Sequence, residues 1–583
     1  MKLALQPPGL AAALSAFRFP LSAFRPLVLL LLALTSSVLA DSVLDSKHNL
    51  SISGPGIIRA ATETEICIFC HTPHRATSEL PLWNHALSVG PYTPYASTTL
   101  KATVGQPTGA SKLCLSCHDG TVALGMVNSR PTPIQMQNGA SFMPIGRTRL
   151  GTDLSDDHPV SFTYDSLLAS RQGELRDPTT LNNHVRVDHN SQMQCTSCHD
   201  PHNDQYGKFL VEDNSASALC LECHIPNFWP TSAHRLSSKT WSGTGPNPWP
   251  HTDARTVAAN ACENCHAPHT AGTPQRLMNF AVEEQNCTSC HAGSVASQNV
   301  AAEFNKMSVH PIAINRGSHD PMEDPVNPAT RHVTCVDCHN PHAANSGPGV
   351  GQNISGALTG VRGINASGSP IPVITHEYEL CFRCHADSMT RGQALVPRQY
   401  PETNTRLEFA ATANSFHPVI AAGRNPNVPS LIAPLTAGSL IACSDCHNNN
   451  QGSHTGGTGP NGPHGSTYTP LLERNLALVD FQPENQLTYA LCYKCHDSNK
   501  LLYSPTSGND KEVAMHKKHV VDKNVACTTC HDSHGSRTTS HLINFNPNYV
   551  SANGGSIQFL DRGTFHGSCT LTCHTIPHDN SAY

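Results

Sequence analysis

The chain has 583 residues, of which 37 are Lys or Arg and 43 are Asp or Glu, so its formal net charge is −6 with histidine neutral. No basic stripe runs along the sequence, which excludes nucleic acid as an expected partner. Only 38% of the residues are hydrophobic, whereas Gly and Pro number 40 and 44. Such a chain buries too little side-chain surface to stabilise ordinary globular domains.

The N-terminus has the pattern of a secretory signal. Two arginines precede an apolar run at 27–34, and small residues follow up to Ala40, which predicts a signal peptide over residues 1–40. That run is too short to span a bilayer, and no later segment approaches the roughly 20 apolar residues of a membrane helix. Asp41 stands where a lipoprotein needs cysteine. We therefore expect a mature chain without a lipid anchor or membrane span, in the periplasm or at the outer-membrane or cell surface.

The mature chain is dominated by cysteine pairs followed at once by histidine, which occur twelve times and use all 24 cysteines. Eleven sites are strict C-x-x-C-H: Cys67, Cys70 and His71; Cys114, Cys117 and His118; Cys195, Cys198 and His199; Cys220, Cys223 and His224; Cys262, Cys265 and His266; Cys287, Cys290 and His291; Cys335, Cys338 and His339; Cys381, Cys384 and His385; Cys443, Cys446 and His447; Cys492, Cys495 and His496; Cys527, Cys530 and His531. The twelfth, Cys569, Cys573 and His574, has one extra residue.

This motif attaches haem covalently: the two thiols bond to the vinyl groups, and the histidine is the proximal ligand of the iron. Zinc ligation and disulfides are the other uses of paired cysteines, but neither explains a histidine after every second cysteine. At the twelfth site the longer loop leaves a local disulfide open. The sequence predicts twelve covalent haem c groups.

Twelve haems leave about 45 residues of mature chain for each, so the porphyrins themselves must serve as the core. The expected fold is mostly irregular, with short α-helices organised around the haems, little β-structure, and an extended array of repeats. Six repeats of two haems follow from the motif order. The expected boundaries are 41–125, 126–235, 236–300, 301–405, 406–505 and 506–583.

A second set of histidines is expected to bind the opposite side of the irons, since 24 of the 36 histidines are outside the motif position and only 10 methionines compete. One group, here called the following histidines, comes after the odd-numbered motifs, mostly in Pro-His: His74, His202, His269, His342, His464 and His534. On a helix such a residue lies beside its own proximal histidine, so it must serve a neighbouring haem.

The other group, here called the leading histidines, comes before each pair of motifs: His48, His158, His251, His310, His417 and His519. Three of them occur in His-Pro, where the proline keeps the histidine out of a helix. His189 and His332 could replace His158 and His310, and His516 is equally available beside His519. The other histidines, among them His85, His184, His234, His454, His541 and His578, are expected to be solvated or bonded to propionates.

The chain resembles the doubled C-x-x-C-H multihaem c-type cytochromes, including cytochrome c3-like proteins and the dodecahaem, outer-surface or periplasmic cytochromes of the Geobacter type. The resemblance rests on the segments 48–51 and 67–74, the His-Pro elements, the segment 462–466 and the C-terminal 567–574. It implies long-range electron transfer, often toward extracellular acceptors, and makes the longer twelfth motif a family trait.

Three functions are compatible with these residues. The leading hypothesis is a non-enzymatic electron conduit of closely spaced bis-His haems in extracytoplasmic or extracellular respiration, such as metal reduction. Its partners would be redox cytochromes or extracellular acceptors. The second is a multihaem reductase for nitrite or a sulfur oxyanion, with one open iron. The third is assembly into a haem filament or docking to an outer-membrane porin.

The motif count generates a first test. The intact mass of the native mature protein should equal that of the polypeptide plus twelve haems, because every cysteine belongs to a haem motif. Eleven haems together with a disulfide between Cys569 and Cys573 would contradict the twelfth assignment.

Overall fold

The computed structural model describes residues 42–76, 82–312, 319–324, 326, 332–388, 394–506 and 508–583. The predicted signal peptide, residues 1–40, lies outside the described residues. Within them, no helix is both long enough and apolar enough to cross a membrane.

The α-helices of the described residues are short, the longest among them having ten residues. In chain order α1 to α13 are Gly109–His118, Ser166–Gln172, Ala218–Cys223, Ala233–Leu236, Val257–Asn260, Glu283–His291, Val300–Glu303, Cys335–Cys338, Glu377–His385, Thr405–Glu408, Ser498–Leu502, Asp510–His516 and Cys527–Cys530. A π-helix, Lys517–Val521, continues α12, and single 3₁₀ turns carry the motifs that begin at Cys67, Cys195, Cys262, Cys443 and Cys492.

The strands are mostly two residues long. β1 to β12 are Phe162–Thr163, Gln192–Met193, Ser308–Val309, Gly363–Ile364, Pro370–Ile371, Ser415–Phe416, Gly465–Ser466, Gly535–Ser536, Val550–Ser551, Gln558–Asp561, Gly567–Cys573 and Ile576–Ala582. Antiparallel pairs form between β1 and β2, β3 and β7, β4 and β5, and β6 and β8, while β9 to β12 form a C-terminal sheet in which β11 pairs with β9, β10 and β12.

One helical turn explains the geometry of the strict motifs. The amide of the motif histidine donates to the carbonyl of the first cysteine, as in His199 to Cys195 at 3.0 Å and His531 to Cys527 at 2.9 Å. This i to i−4 bond places the two cysteines, three residues apart, on one face of the turn. The thiols and the imidazole therefore leave the backbone together.

A recurring loop, which the sequence analysis did not predict, returns to several odd-numbered motifs. It passes through consecutive non-glycine residues with positive φ, such as Lys208 at 55° and Phe209 at 58°. It then forms a bridge to the motif histidine, as His199 does with Leu210, and the same bridge recurs at His71, His266 and His531. These left-handed residues are strained for L-amino acids, so their repetition points to a shared structural requirement.

Small hydrophobic clusters replace a single core among the described residues. The cluster of Ile543, Phe545, Val550 and Leu571 packs against three motif cysteines, Cys530, Cys569 and Cys573, and other clusters likewise contact motif cysteines. The prediction of a mostly irregular fold with short helices is confirmed. The four-stranded C-terminal sheet is the one sizeable β-element in the described part of the chain and was not predicted.

Candidate functional site

All 24 cysteines are free thiols, including Cys569 and Cys573, so the local disulfide left open for the twelfth motif is absent from the structure. Most of the thiols are partly buried within the clusters of apolar side chains. The side-chain environment fits the thioether edge of a porphyrin.

Neighbouring motifs approach one another in sequence order. Between units, the thiols of the first cysteines lie within hydrogen-bonding reach: Cys114 and Cys195, Cys220 and Cys262, Cys287 and Cys335, Cys381 and Cys443, Cys492 and Cys527. Within units, each second cysteine interacts electrostatically with a cysteine of its neighbour: Cys117 with Cys70, Cys198 with Cys223, Cys265 with Cys290, Cys338 with Cys384, Cys446 with Cys495, Cys530 with Cys573. The twelve motifs therefore form one unbranched series.

Histidines face each other in pairs at a nearly constant separation. Ten ring-centroid distances between a motif histidine and a second histidine fall between 6.0 and 6.3 Å: His71 and His202, His118 and His48, His199 and His269, His224 and His158, His266 and His342, His291 and His234, His339 and His464, His385 and His310, His447 and His534, His531 and His516. Two imidazoles on opposite sides of one metal ion require about 6 Å, since each metal–nitrogen bond is about 2 Å long.

His417 lies close enough to His496 to disfavour its charged form. Burial and then repulsion from His417 lower the pKa of His496 to about 4. Burial together with the facing histidine has the same effect at His224 and His291, whose pKa values are also lowered to about 4. These rings are neutral at physiological pH, which is the state in which imidazole binds a metal.

The following histidines face the preceding odd-numbered motif rather than their own. His202 faces His71 and His269 faces His199, and the rule continues through His342, His464 and His534. The second to sixth units therefore each contribute a side chain to the unit before them.

The leading histidines are held beside the following histidines by backbone bonds. Nδ1 of the leading histidine His310 bonds to the carbonyl of Pro463 at 2.7 Å. His234, which faces His291 and is not one of the predicted leading histidines, makes the equivalent bond from Nδ1 to the carbonyl of Pro341 at 2.9 Å. Two short sheets reinforce this contact. β3 ends next to His310 and pairs with β7, which begins next to His464. β6 ends next to His417 and pairs with β8, which begins next to His534. The two second histidines of one unit therefore lie side by side, as His310 and His464 do for the fourth unit.

Backbone carbonyls also orient the motif histidines. Nδ1 lies within hydrogen-bonding distance of a carbonyl oxygen at His118 (2.7 Å, Thr148), His199 (2.9 Å, Lys208), His266 (2.8 Å, Arg276), His339 (3.0 Å, Ala357), His447 (3.1 Å, Pro470) and His531 (2.9 Å, His541). With the proton used at Nδ1, the lone pair of Nε2 is available to a metal. The recurring loop supplies several of these carbonyls.

The second histidines differ in the acceptor at Nδ1. His269 bonds to the buried carboxylate of Asp157 at 3.1 Å, and His534 bonds to that of Glu408 at 3.2 Å. Burial opposes the charged form of His534, but the bond to Glu408 raises its pKa overall. Nδ1 of His464, in contrast, is buried with no hydrogen-bond partner. A carboxylate acceptor makes imidazole a stronger donor to a metal.

Two predicted second ligands lie elsewhere. His74 is exposed and faces no motif histidine among the described residues. Nε2 of His251 bonds to the carbonyl of Glu263 at 3.1 Å, and His234 occupies its expected place. A sequence signal existed for His234: it precedes the next motif by between 25 and 28 residues, as do His310 and His417.

The last unit takes its second histidines from one helical segment. His516 ends α12 and faces His531, and His519 lies three residues on in the π-helix. Residues three apart share a helix face, so both can serve one unit. His85, expected to be solvated or bonded to a propionate, is fully buried and bonds to Ser116 and backbone carbonyls.

The twelfth motif departs most from prediction. His574 and Thr575 form the two-residue turn between β11 and β12, with φ of 46° and 69°, as a type I′ hairpin requires. Nε2 of His574 lies 2.6 Å from Oδ2 of Asp480, whose side chain is completely buried. The structure therefore places Nε2 of His574 against Asp480, away from the position that the other motif histidines hold, while its role as a proximal ligand stays a prediction.

His578 takes that position. Side chains alternate along a strand, so Cys569, Leu571 and Cys573 share one face of β11, and His578 is the cross-strand partner of Leu571. His578 faces His519 with a ring-centroid distance of 6.0 Å. The extra residue between the cysteines suits a strand, where an i, i+4 pair lies on one face, and the imidazole then comes from the neighbouring strand.

Comparison with known families agrees with this chemistry. The model of the doubled CXXCH motif family matches residues 189–227 and 255–296, and the cytochrome c3 family model matches residues 476–542. No curated protein matches the chain.

Proposed function

We propose that the chain is a multihaem c-type electron-transfer cytochrome, and specifically a dodecahaem conduit in which every iron has two histidine ligands. The matches to the doubled CXXCH and cytochrome c3 family models support the coarser part of this proposal. The proximal ligands are the histidines of the eleven strict motifs and His578. The distal ligands are His202, His48, His269, His158, His342, His234, His464, His310, His534, His417, His516 and His519, in the order of the motifs.

The observation that carries this proposal is the nearly constant spacing of the facing imidazoles, 6.0 to 6.3 Å, with Nδ1 of most rings already bonded to protein oxygens. Neither feature is expected of solvated surface histidines. Haem iron supplies the redox chemistry by alternating between the ferric and ferrous states.

The cysteine contacts support a single path. Because the thiols of successive motifs adjoin from Cys70 and Cys117 to Cys530 and Cys573, the attached edges of successive porphyrins would also adjoin. The chain's own contribution is to hold these edges together and to set the donor strength of each imidazole. Electrons would enter and leave at the first and twelfth motifs.

We further propose an extracytoplasmic location and a role in respiration toward partner cytochromes or extracellular acceptors. Three observations support this proposal. Residues 476–542 match the cytochrome c3 family model, and the N-terminus has the pattern of a signal peptide. The predicted covalent attachment of haem to reduced thiols is also consistent with an extracytoplasmic protein. A porin complex or a filament would use the same conduit.

The spin state of the native protein tests the conduit. Two imidazoles per iron give low-spin iron in both oxidation states, so the electron paramagnetic resonance spectrum should be low-spin throughout and carbon monoxide should hardly bind. A high-spin ferric signal together with rapid carbon monoxide binding in the native protein would favour a reductase with an open iron.

His464→Ala tests the transfer of ligands between units. It removes the imidazole facing His339, so one iron per chain should become high-spin and bind about one equivalent of carbon monoxide, with twelve haems retained. The matched control is His74→Ala, which alters a following histidine that faces no motif histidine among the described residues and should change neither spectrum. Identical spectra for both variants would show that the following histidines are turn residues.

The twelfth site is tested by His578→Ala and His574→Ala. His578→Ala should produce one high-spin iron, whereas His574→Ala should leave all irons low-spin because His574 bonds to Asp480 instead. Magnetic resonance of both holoproteins distinguishes the two. The reverse result would return the proximal role to His574.

Glu408→Gln tests how carboxylates tune the potentials. A neutral amide weakens the bond to Nδ1 of His534, and a charged hydrogen bond exceeds a neutral one by about 1 kcal/mol. The midpoint potential of one haem should therefore rise by about 40 mV, equivalent to about fivefold in its redox equilibrium, in a spectroelectrochemical titration. Glu402→Gln, whose carboxylate bonds to Arg537 and no histidine, is the control. Superimposable titrations for Glu408→Gln and the native protein would contradict the proposal.

A further inference from the structure

Four side chains outside the haem pairs converge on one point beside the seventh motif. They are His319, Glu323, His332 and Asp337, all within 19 residues of sequence and all largely buried. Their nearest ligand-type atoms, two nitrogens and two carboxylate oxygens, lie within 4.8 Å of one another.

The separations are those of a coordination shell. Nδ1 of His319 lies 3.5 Å from Oε1 of Glu323, 3.4 Å from Oδ1 of Asp337 and 3.4 Å from Nε2 of His332. Nε2 of His332 lies 3.2 Å from Oε1 of Glu323 and 3.9 Å from Oδ2 of Asp337. Ligands at 2.0–2.2 Å from a tetrahedral ion are about 3.3–3.6 Å apart.

Hydrogen bonding explains this arrangement poorly. Nδ1 of His319 carries at most one proton, yet it faces a carboxylate oxygen on two sides and a ring nitrogen on the third. The distances of 3.4 and 3.5 Å are also long for hydrogen bonds to charged groups. One central cation would satisfy all four atoms at once.

The charge balance also leaves room for a cation. Glu323 and Asp337 bring two negative charges, and Arg383, 3.4 Å from Oδ1 of Asp337, offsets one. Arg276 is engaged with Glu283 at 3.0 Å. Buried carboxylates need a compensating charge, so with both imidazoles neutral, as metal binding requires, one negative charge of the cluster is left for a cation.

Outer contacts hold two of the four residues in place. The amide of His319 donates to Oε2 of Glu283 at 2.7 Å, and its carbonyl accepts from Nη1 of Arg276 at 2.6 Å. Oδ2 of Asp337 accepts from the amide of Thr334 at 2.7 Å. Such orientation by neighbouring groups is typical of metal ligands.

We propose that His319, Glu323, His332 and Asp337 bind one zinc ion in a closed, structural site. Two imidazoles and two carboxylates at tetrahedral spacing suit zinc, a borderline ion without a geometric preference of its own. The four protein ligands leave no position for a substrate. Asp337 lies between Cys335 and Cys338, and Arg383 between Cys381 and Cys384, so the ion would join the 319–332 segment to the seventh and eighth motifs.

X-ray absorption at the zinc edge tests the site in the native holoprotein. The full-length protein is treated with a chelator, given one equivalent of zinc ion, and passed through gel filtration before its metal content is measured. We expect one zinc per chain with four nitrogen or oxygen neighbours near 2 Å, two of them imidazole. No retained zinc, or sulfur neighbours from cysteines without haem, would overturn the proposal.

The double variant His319→Ala, Glu323→Gln should lower zinc retention at least tenfold, whereas His184→Ala, at an exposed histidine, should leave it unchanged. Iron content and the low-spin spectrum are measured alongside, because these ligands are separate from the haem pairs and both readouts should stay native. Zinc retained by the double variant would overturn the proposal. If the double variant loses haem, the absorption spectrum of the native protein decides.

Discussion

The structure depends on one interaction above all, the facing of two imidazoles that belong to different units of the chain. A chain so poor in hydrophobic side chains cannot close each unit by apolar packing. In its place, His202 reaches back to His71, His269 to His199, and so on along the series. The backbone bond from His310 to Pro463 and its equivalents bring the leading histidine to the same place. Each unit is thereby completed by its successor.

Because side chains pass from one unit to the unit before it, the first and sixth units differ from the four between them. The following histidine of the first unit, His74, faces no motif histidine among the described residues, while the sixth unit receives no following histidine. The sixth unit takes both of its second histidines from its own segment, because α12 and the π-helix after it place His516 and His519 on one face. The C-terminal sheet then presents His578 to His519. Terminal units of repeat proteins are generally atypical for the same reason.

The surroundings of the imidazoles also vary. Two of the facing histidines bond to buried carboxylates, Asp157 and Glu408, whereas Nδ1 of His464 has no partner. Since hydrogen bonding at Nδ1 sets the donor strength of imidazole, a conduit of chemically identical haems can still have graded potentials. The His319 cluster lies where the fourth unit has a long leading segment, and it would stabilise that segment without altering the ligands.

The sequence by itself predicted the cofactor attachment sites, because the spacing of C-x-x-C-H is set within one helical turn and needs no distant contact, and its prediction of an irregular fold is confirmed. It also indicated which histidines are surplus to the motifs. Only the tertiary structure decided which histidines face each other, since partners such as His339 and His464 are separated by more than a hundred residues. His251 and His574 show the limit: both fit the local pattern, but a backbone carbonyl at Glu263 and the buried Asp480 hold them elsewhere.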